Sequence, residues 1–255
     1  MDLALASTLS RPDGGKIVFC VIDGLGGLAR EETLRSELEK ADITHLDRLA
    51  ARSEVGLTQP MAHGVTPGPR AALLALLGYN PIEANDGTLP AFGATWKARA
   101  AMLTDDAIAT SVANAAGMTV LPDGPVATQI GTTRSRWDEF DLFVLHITAV
   151  AEAAFAGDFQ RKCHALSELD SAVPELLSLG ADVLAIGGPR SVPALMAAPT
   201  WHPVPLLVHS GHGREGNAQH FNEQECLRGS LGIMPSVDVI PLLFAHALRL
   251  QPYGD

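Results

Sequence analysis

The chain has 255 residues, 47% of them hydrophobic and 18% charged, which is enough apolar material for a sizeable core and too much for a disordered chain. Its formal net charge is −11 and no stretch gathers Lys and Arg into a cluster, so neither nucleic acid nor an anionic membrane is an expected partner. The three cysteines, Cys20, Cys163 and Cys226, are far apart and never spaced CxxC, a usage that suits reduced thiols in the cytoplasm.

The opening MDLALAS carries an acid where a signal peptide carries basic residues, and its apolar run is short, so no leader is expected there. No stretch approaches the roughly 18 apolar residues of a membrane helix. Residues 16–22 (KIVFCVI) predict a buried parallel strand stopped by Asp23-Gly24, with the Asp at its carboxyl end. Leu34 and Leu38 have helical spacing within 29–40, and Thr44 is placed to cap a helix over 45–52. A strand is expected at 55–59. Pro67-Gly68-Pro69 then interrupts regular structure, and 71–77 (AALLALL) predict a helix that Gly78 closes, apolar nearly all round and therefore buried. Thr104 and the acids after it open a helix to Ala116, ended by Gly117, with a strand at 118–121. Further strands are expected at 141–147, 181–186 and 204–209, and helices at 158–179, 221–228 and 237–248. Strands alternate with helices and are unbroken apolar runs, so helices cover both sheet faces. The expected fold is α/β: one domain over 1–255, a three-layer α/β/α sandwich around a mostly parallel sheet.

Gly24-Leu25-Gly26-Gly27-Leu28-Ala29 satisfies GxGxxA, the form in which a dinucleotide pyrophosphate rests on a helix amino end. Asp23 directly before it would repel a pyrophosphate, and no second strand ending in an acid follows at the usual distance. A tight strand-to-helix turn is the better reading. His209, His212 and His220 form an HxxH…H pattern that invites zinc, but the stretch holding them is rich in glycine, so exposed loop histidines are expected. Cys20, inside the first strand, reads as a small core residue.

Asp23-Gly24-Leu25-Gly26 followed by Leu46-Asp47-Arg48-Leu49-Ala50 resembles the opening of the cofactor-independent phosphoglycerate mutases of the alkaline phosphatase superfamily. Three longer stretches sharpen this to the archaeal-type branch. They are Gly64-Val65-Thr66-Pro67-Gly68 leading to Leu74-Ala75-Leu76-Leu77-Gly78-Tyr79-Asn80-Pro81, then His202-Pro203-Val204-Pro205-Leu206-Leu207, then a carboxyl-terminal set of Phe221-Asn222-Glu223, Cys226, Gly229, Leu231-Gly232 and Pro241-Leu242-Leu243. The resemblance implies an alkaline phosphatase-like fold. It also implies a phosphotransferase whose serine or threonine sits between two divalent cations, such as Mn, Mg or Zn, held by Asp and His.

Carried over position by position, Asp23 stands where the first metal aspartate belongs, but the nucleophile position holds Pro69, which has no hydroxyl. Arg70 and Ala71 replace the family's acid and hydroxyl after it. Ala151 stands at an Asp position, Glu152 at a Glu, and Ala154 and Phe155 at a Gly-His pair. Gly188-Pro189-Arg190 stands at Gly-Asp-His, the last histidine falls on Pro199, and His202 takes the nearby Asp position. With Asp23 the surviving metal ligand, no metal and no other cofactor is expected. The family's cap domain is also expected to be missing, since only about 82–99 separate Tyr79-Asn80-Pro81 from Ala100-Ala101-Met102.

The resulting expectation is a pseudoenzyme without phosphomutase or phosphatase activity that binds a protein partner or a small anionic ligand. Arg70 and Arg190 either fill the charge vacancy and hold an anion, with Glu152 paired to one of them, or simply face solvent. One alternative is a metal-independent reaction run in the old cleft by Asp23, Glu152, Arg190 and His202. Another is the 2,3-bisphosphoglycerate-independent mutase activity that the resemblance by itself implies. With the cap gone, apolar surface that once faced it is expected to be exposed or covered by a partner, a homodimer being one form.

Overall fold

The computed structural model describes residues 1–32, 34–86, 89–122, 124–214 and 216–254. Its strands are β1 (Ile17–Ile22), β2 (Gly24–Gly26), β3 (Glu54–Gln59), β4 (Ala100–Leu103), β5 (Thr119–Leu121), β6 (Leu142–Ile147), β7 (Val183–Gly187), β8 (Val204–Ser210) and β9 (Gly232–Pro235). Eight of them form one sheet in the order β5-β4-β6-β1-β7-β8-β3-β9, with β2 outside it. Every pairing is parallel except the two made by β8. The helices are α1 (Leu3–Leu9), α2 (Glu37–Lys40), α3 (Thr44–Ala50), α4 (Pro69–Leu76), α5 (Phe92–Trp96), α6 (Ala107–Ala115), α7 (Val126–Ser135), α8 (Ala149–Phe155), α9 (Phe159–Ser178), α10 (Glu223–Leu227) and α11 (Val239–His246).

The central strand shows why a continuous apolar run was required. All six residues of β1 are buried, and they alternate between two cores. Ile17, Phe19 and Val21 pack in the layer of α1, α4, α5, α6 and α11; Val18, Cys20 and Ile22 pack in the layer of α2, α3, α7 and α9. This is the expected three-layer α/β/α arrangement with a mostly parallel sheet. Cys20 is a core residue, its thiol pushed up to about 12 by burial. Phe92, Trp96 and Phe244 form an aromatic cluster with ring centroids 4.9 to 6.2 Å apart, which anchors the stretch between Asn80 and β4 to α11. No helix among the described residues is long and apolar enough to cross a membrane.

Several local expectations are corrected. The helix expected over 29–40 shrinks to α2. Leu34 adopts a left-handed φ of 53° and its N–H closes a turn onto the Arg30 carbonyl, while the capping box of Ser36 and Glu39 starts the helix later. Thr44 does not cap α3; its hydroxyl donates to Asp42. The cap comes from α9, where the Asp170 carboxylate accepts the His45 and Leu46 N–H groups at 3.1 and 2.7 Å. Pro69 does not interrupt structure but opens α4, at the position where a missing N–H does no harm. The helix placed from Thr104 begins at Ala107 with Asp106 as its cap. Residues 72–77 are buried, in agreement with the expectation for a helix apolar nearly all round.

Candidate functional site

Because β1, β4, β6 and β7 run parallel, their carboxyl ends share one sheet edge, and a cleft of about 250 Å³ opens there. Asp23 enters it from the end of β1, Pro189 and Arg190 from beyond β7, His146 from β6, Asp106 from beyond β4, Pro69 from the start of α4, and Phe155 from the end of α8. Of the positions carried over by resemblance, Asp23, Pro69, Phe155, Pro189 and Arg190 line this cleft.

The centre of this edge is an ion pair. Arg190 grips Asp23 in the bidentate manner, Nε donating to Oδ1 at 2.8 Å and Nη2 to Oδ2 at 2.7 Å, with both residues buried. The guanidinium carbon also lies 5.4 Å from the Phe155 ring. Two positions that the resemblance assigns to metal-binding histidines thus hold a cation and the aromatic face beside it.

Other expected residues are elsewhere. Glu152 is exposed and accepts from the Thr148 hydroxyl at 3.1 Å, so it pairs with neither arginine. His202 takes up Thr200 Oγ1 through Nδ1 at 3.0 Å and stacks on Trp201, outside the cleft lining. Arg70 is half-buried in the first turn of α4 and Pro199 lies past β7; neither lines the cleft. Ala151 packs beneath Gly24, where a Cβ would come within 2.9 Å of its Cα and where φ is +76°. Reading by resemblance missed Asp106 and His146, which the family pattern did not mark. His146 is buried, its Nδ1 3.0 Å from Thr104 Oγ1, and that oxygen accepts the Asp106 N–H at 3.1 Å.

The glycine-rich turn is also not what its pattern implied. Gly24–Gly26 forms a short strand that bridges Ser191, and among the described residues no helix begins between it and Glu37, so the turn does not lead from strand to helix as expected. With no helix amino end behind the glycines, the dinucleotide reading loses its anion site. The turn is fastened from behind by Lys162 of α9, whose ammonium donates to the carbonyls of Gly26 at 3.0 Å and Val192 at 2.8 Å. One ammonium thus ties the segment after Asp23 to the segment after Arg190. Glu37 lies 3.5 Å from Lys162 and accepts the Ala194 N–H at 2.7 Å; Glu223 accepts the Gly27 N–H and the Ser36 hydroxyl. Burial lowers the Lys162 pKa against the pull of Glu37 and Glu223, and burial raises that of Glu223.

The three histidines of the zinc-like pattern do not converge. His209 is half-buried in β8 with Nδ1 3.1 Å from Ser53 Oγ, His212 is exposed, and His220 pairs with Asp47 at 2.8 Å. Among the described residues no three His, Cys, Asp or Glu side chains are grouped to hold a metal ion.

At the opposite sheet edge, His246 links α11 to the sheet, with Nδ1 2.7 Å from Ser210 Oγ and Nε2 3.1 Å from Glu54 Oε2. Burial, the largest influence, lowers its pKa, and Glu54 opposes the shift. The folded state therefore favours neutral His246, while the unfolded chain takes up a proton near the ordinary value of about 6.5. The stability it contributes is present above that pH and is lost as pH falls through the lower folded value. Thermal melts are expected to show a lower Tm at pH 5 than at pH 7.5, with a smaller difference in His246→Gln; equal pH dependence in the two proteins would disprove this.

Comparison with known proteins agrees with this architecture. Residues 15–245 match the family described as the metalloenzyme superfamily. A probable 2,3-bisphosphoglycerate-independent phosphoglycerate mutase of Deinococcus radiodurans is 33% identical over 214 residues, covering 82% of this chain and 49% of the relative. Its counterpart in Thermotoga neapolitana is 38% identical over 205 residues, covering 80% of this chain and 50% of the relative. The chain thus spans about half the length of the curated relatives it matches. Among solved structures, the PH0037 protein from Pyrococcus horikoshii superposes with a TM-score of 0.89 at 20% identity, covering 95% of this chain and 99% of that one. The cofactor-independent phosphoglycerate mutase from Thermoplasma acidophilum superposes with a TM-score of 0.70 at 13% identity, covering 91% of this chain and all of the other. From its matching sequence and its alkaline phosphatase-like fold, the chain belongs to the metalloenzyme superfamily and is similar to 2,3-bisphosphoglycerate-independent phosphoglycerate mutases.

Proposed function

We propose that this chain is a superfamily member that does not transfer phosphoryl groups and acts by binding at the carboxyl edge of its sheet. The observation that carries this is the Arg190 guanidinium seated on both oxygens of Asp23. A pair of divalent cations needs several carboxylate and imidazole donors, and the corresponding positions here offer one carboxylate, already engaged, beside Ala151, Phe155, Pro189 and Pro199. This donor set does not fit two cations, and Pro69 brings no hydroxyl to accept a phosphoryl group. The shortness of the stretch from Pro81 to Arg99 supports the absence of a cap domain.

The charges favour a protein partner over an anion. Asp23 and Asp106 outnumber Arg190 in the cleft lining, so a phosphorylated ligand meets net repulsion unless Arg190 leaves Asp23. Exposed Phe155 and Ile108 line the mouth, and Leu195, Met196 and Trp201 are exposed on the chain that follows Arg190. A metal-independent reaction in the set first expected has less support, because Glu152 and His202 do not reach the cleft. The mutase activity named for the relatives is the remaining reading. Metal analysis of purified protein, with an assay of phosphoglycerate interconversion under added Mn, separates these. The expected results are substoichiometric metal and no turnover; stoichiometric Mn or Zn together with turnover would overturn the proposal.

A further inference from the structure

The amino edge of the sheet holds a group of polar side chains that the cleft does not use. β3 and β8 pair antiparallel with Glu54 opposite Val208, so Glu54, Val208 and, two residues on, Ser210 point to the same face of the sheet. Val208 packs there in the core that α11 covers, and His246 at the end of α11 reaches both polar neighbours. Its Nε2 lies 3.1 Å from Glu54 Oε2 and its Nδ1 lies 2.7 Å from Ser210 Oγ. As a carboxylate, Glu54 can only accept. That places the proton of the neutral ring on Nε2 and leaves the Nδ1 lone pair facing the serine hydroxyl. A hydroxyl, a neutral imidazole and a carboxylate touching in that order are the arrangement that activates a nucleophilic serine, and it is recognised by geometry rather than by chain order.

The surroundings bury the base and leave the hydroxyl within reach. His246 and Glu54 are buried, and the backbone at Gly213 closes over them: a Cβ there would come within 3.3 Å of Glu54 Oε2 and 3.6 Å of His246 Cε1. Ser210 is half-buried. Gly211 beside it is exposed, with nothing within 4 Å of the place a Cβ would take, so a small carbonyl compound has an open approach from that side. The His212 N–H, 3.2 Å from Ser210 Oγ, is a donor for an oxygen that gains charge there. Burial favours the neutral imidazole, the form a base requires. Ser210-Gly211-His212-Gly213 brings no apolar side chain to this turn, which suits a short acyl group. We propose that Ser210 is a nucleophile with His246 as its general base and Glu54 as the residue that positions the ring, and that this edge hydrolyses short-chain acyl esters. Oγ adds to the ester carbonyl as its proton passes to Nδ1; the bond from the acyl carbon to the alcohol oxygen then breaks, and the alcohol leaves with that proton. Water repeats both steps on the acyl-serine, releasing the carboxylic acid and restoring the hydroxyl. The site lies at the other end of the strands from the Asp23–Arg190 cleft, and the proposal does not depend on the function assigned there.

The probe is p-nitrophenyl acetate, followed by nitrophenolate release and by peptide mapping of the acetylated full chain. Ser210 is expected to acetylate about 100-fold faster than any other serine, and to lose that advantage in His246→Gln, the usual contribution of a general base. Ser210→Ala is expected to stay folded in thermal melts and to lose multiple turnover. Glu54 and His212 are the titratable groups whose charge acts on the ring. The acetylation rate is expected to rise with pH as the imidazole deprotonates, with a midpoint below the ordinary value of about 6.5. Glu54→Gln removes the charge that opposes this shift, so its midpoint is expected to fall further. An unmoved midpoint would overturn the part given to Glu54. No acetylation of Ser210, or an equal rate in folded His246→Gln, would overturn the proposal as a whole. So would a rate that ignores the imidazole titration, a test made on the unaltered chain and therefore decisive even if the His246 variant does not fold.

Discussion

Lys162→Ala is expected to cost the fold about 3–5 kcal/mol, the range found when one partner of a buried ion pair is removed. Lys162 and Glu37 are both inaccessible to solvent, and the ammonium is held by two carbonyls besides. Removing it leaves buried Glu37 without its ammonium partner, takes a nearby positive charge from half-buried Glu223, and strips the Gly26 and Val192 carbonyls of their donor. Urea denaturation measures the loss. Lys162→Met combined with Glu37→Gln removes the charge on both sides and is expected to recover part of it. A loss below about 1 kcal/mol in Lys162→Ala would mean that the cluster is solvated in solution and that this account of it is wrong.

Arg190→Ala is expected to be the next most damaging change, about 2–4 kcal/mol, because it leaves the Asp23 carboxylate largely buried and unpaired. Arg190→Lys should recover little of this, since an ammonium cannot reproduce the paired Nε and Nη2 contacts. In a double-mutant cycle with Asp23→Ala, the coupling energy is expected to exceed about 1.5 kcal/mol, well above that of an exposed pair. Independent, additive effects of the two substitutions would show that the ion pair does not hold this edge together.

The layers, the central strands and the location of the cleft were legible in the sequence because each depends on a local pattern. IVFCVI could only be a strand buried on both faces, and an Asp directly after it could only stand at the carboxyl edge. What escaped was set by distant residues. Asp170, about 125 residues away, caps the start of α3, so Thr44, which is that helix's first residue, gave the wrong cap. The pairing of Asp23 with Arg190 joins residues 167 apart, and a list of lost ligands does not say that one replacement neutralises the survivor. His146 and Asp106 reach the cleft only through the pairing of β4 with β6. The helix over 29–40 failed for a local reason that periodicity does not report, the left-handed turn at Leu34.

The position of β1 also sets a timetable for the chain as it is made. Its neighbours on either side are β6 and β7, so the hexapeptide at 17–22 finds its first partner only after residue 147 has been synthesised and its second only after residue 187. At roughly 5–20 residues per second, this apolar segment waits many seconds with both faces and both edges open. A nascent chain stalled before residue 140 should therefore be held by chaperones or aggregate, and release beyond residue 187 should allow the sheet to close around its own first strand.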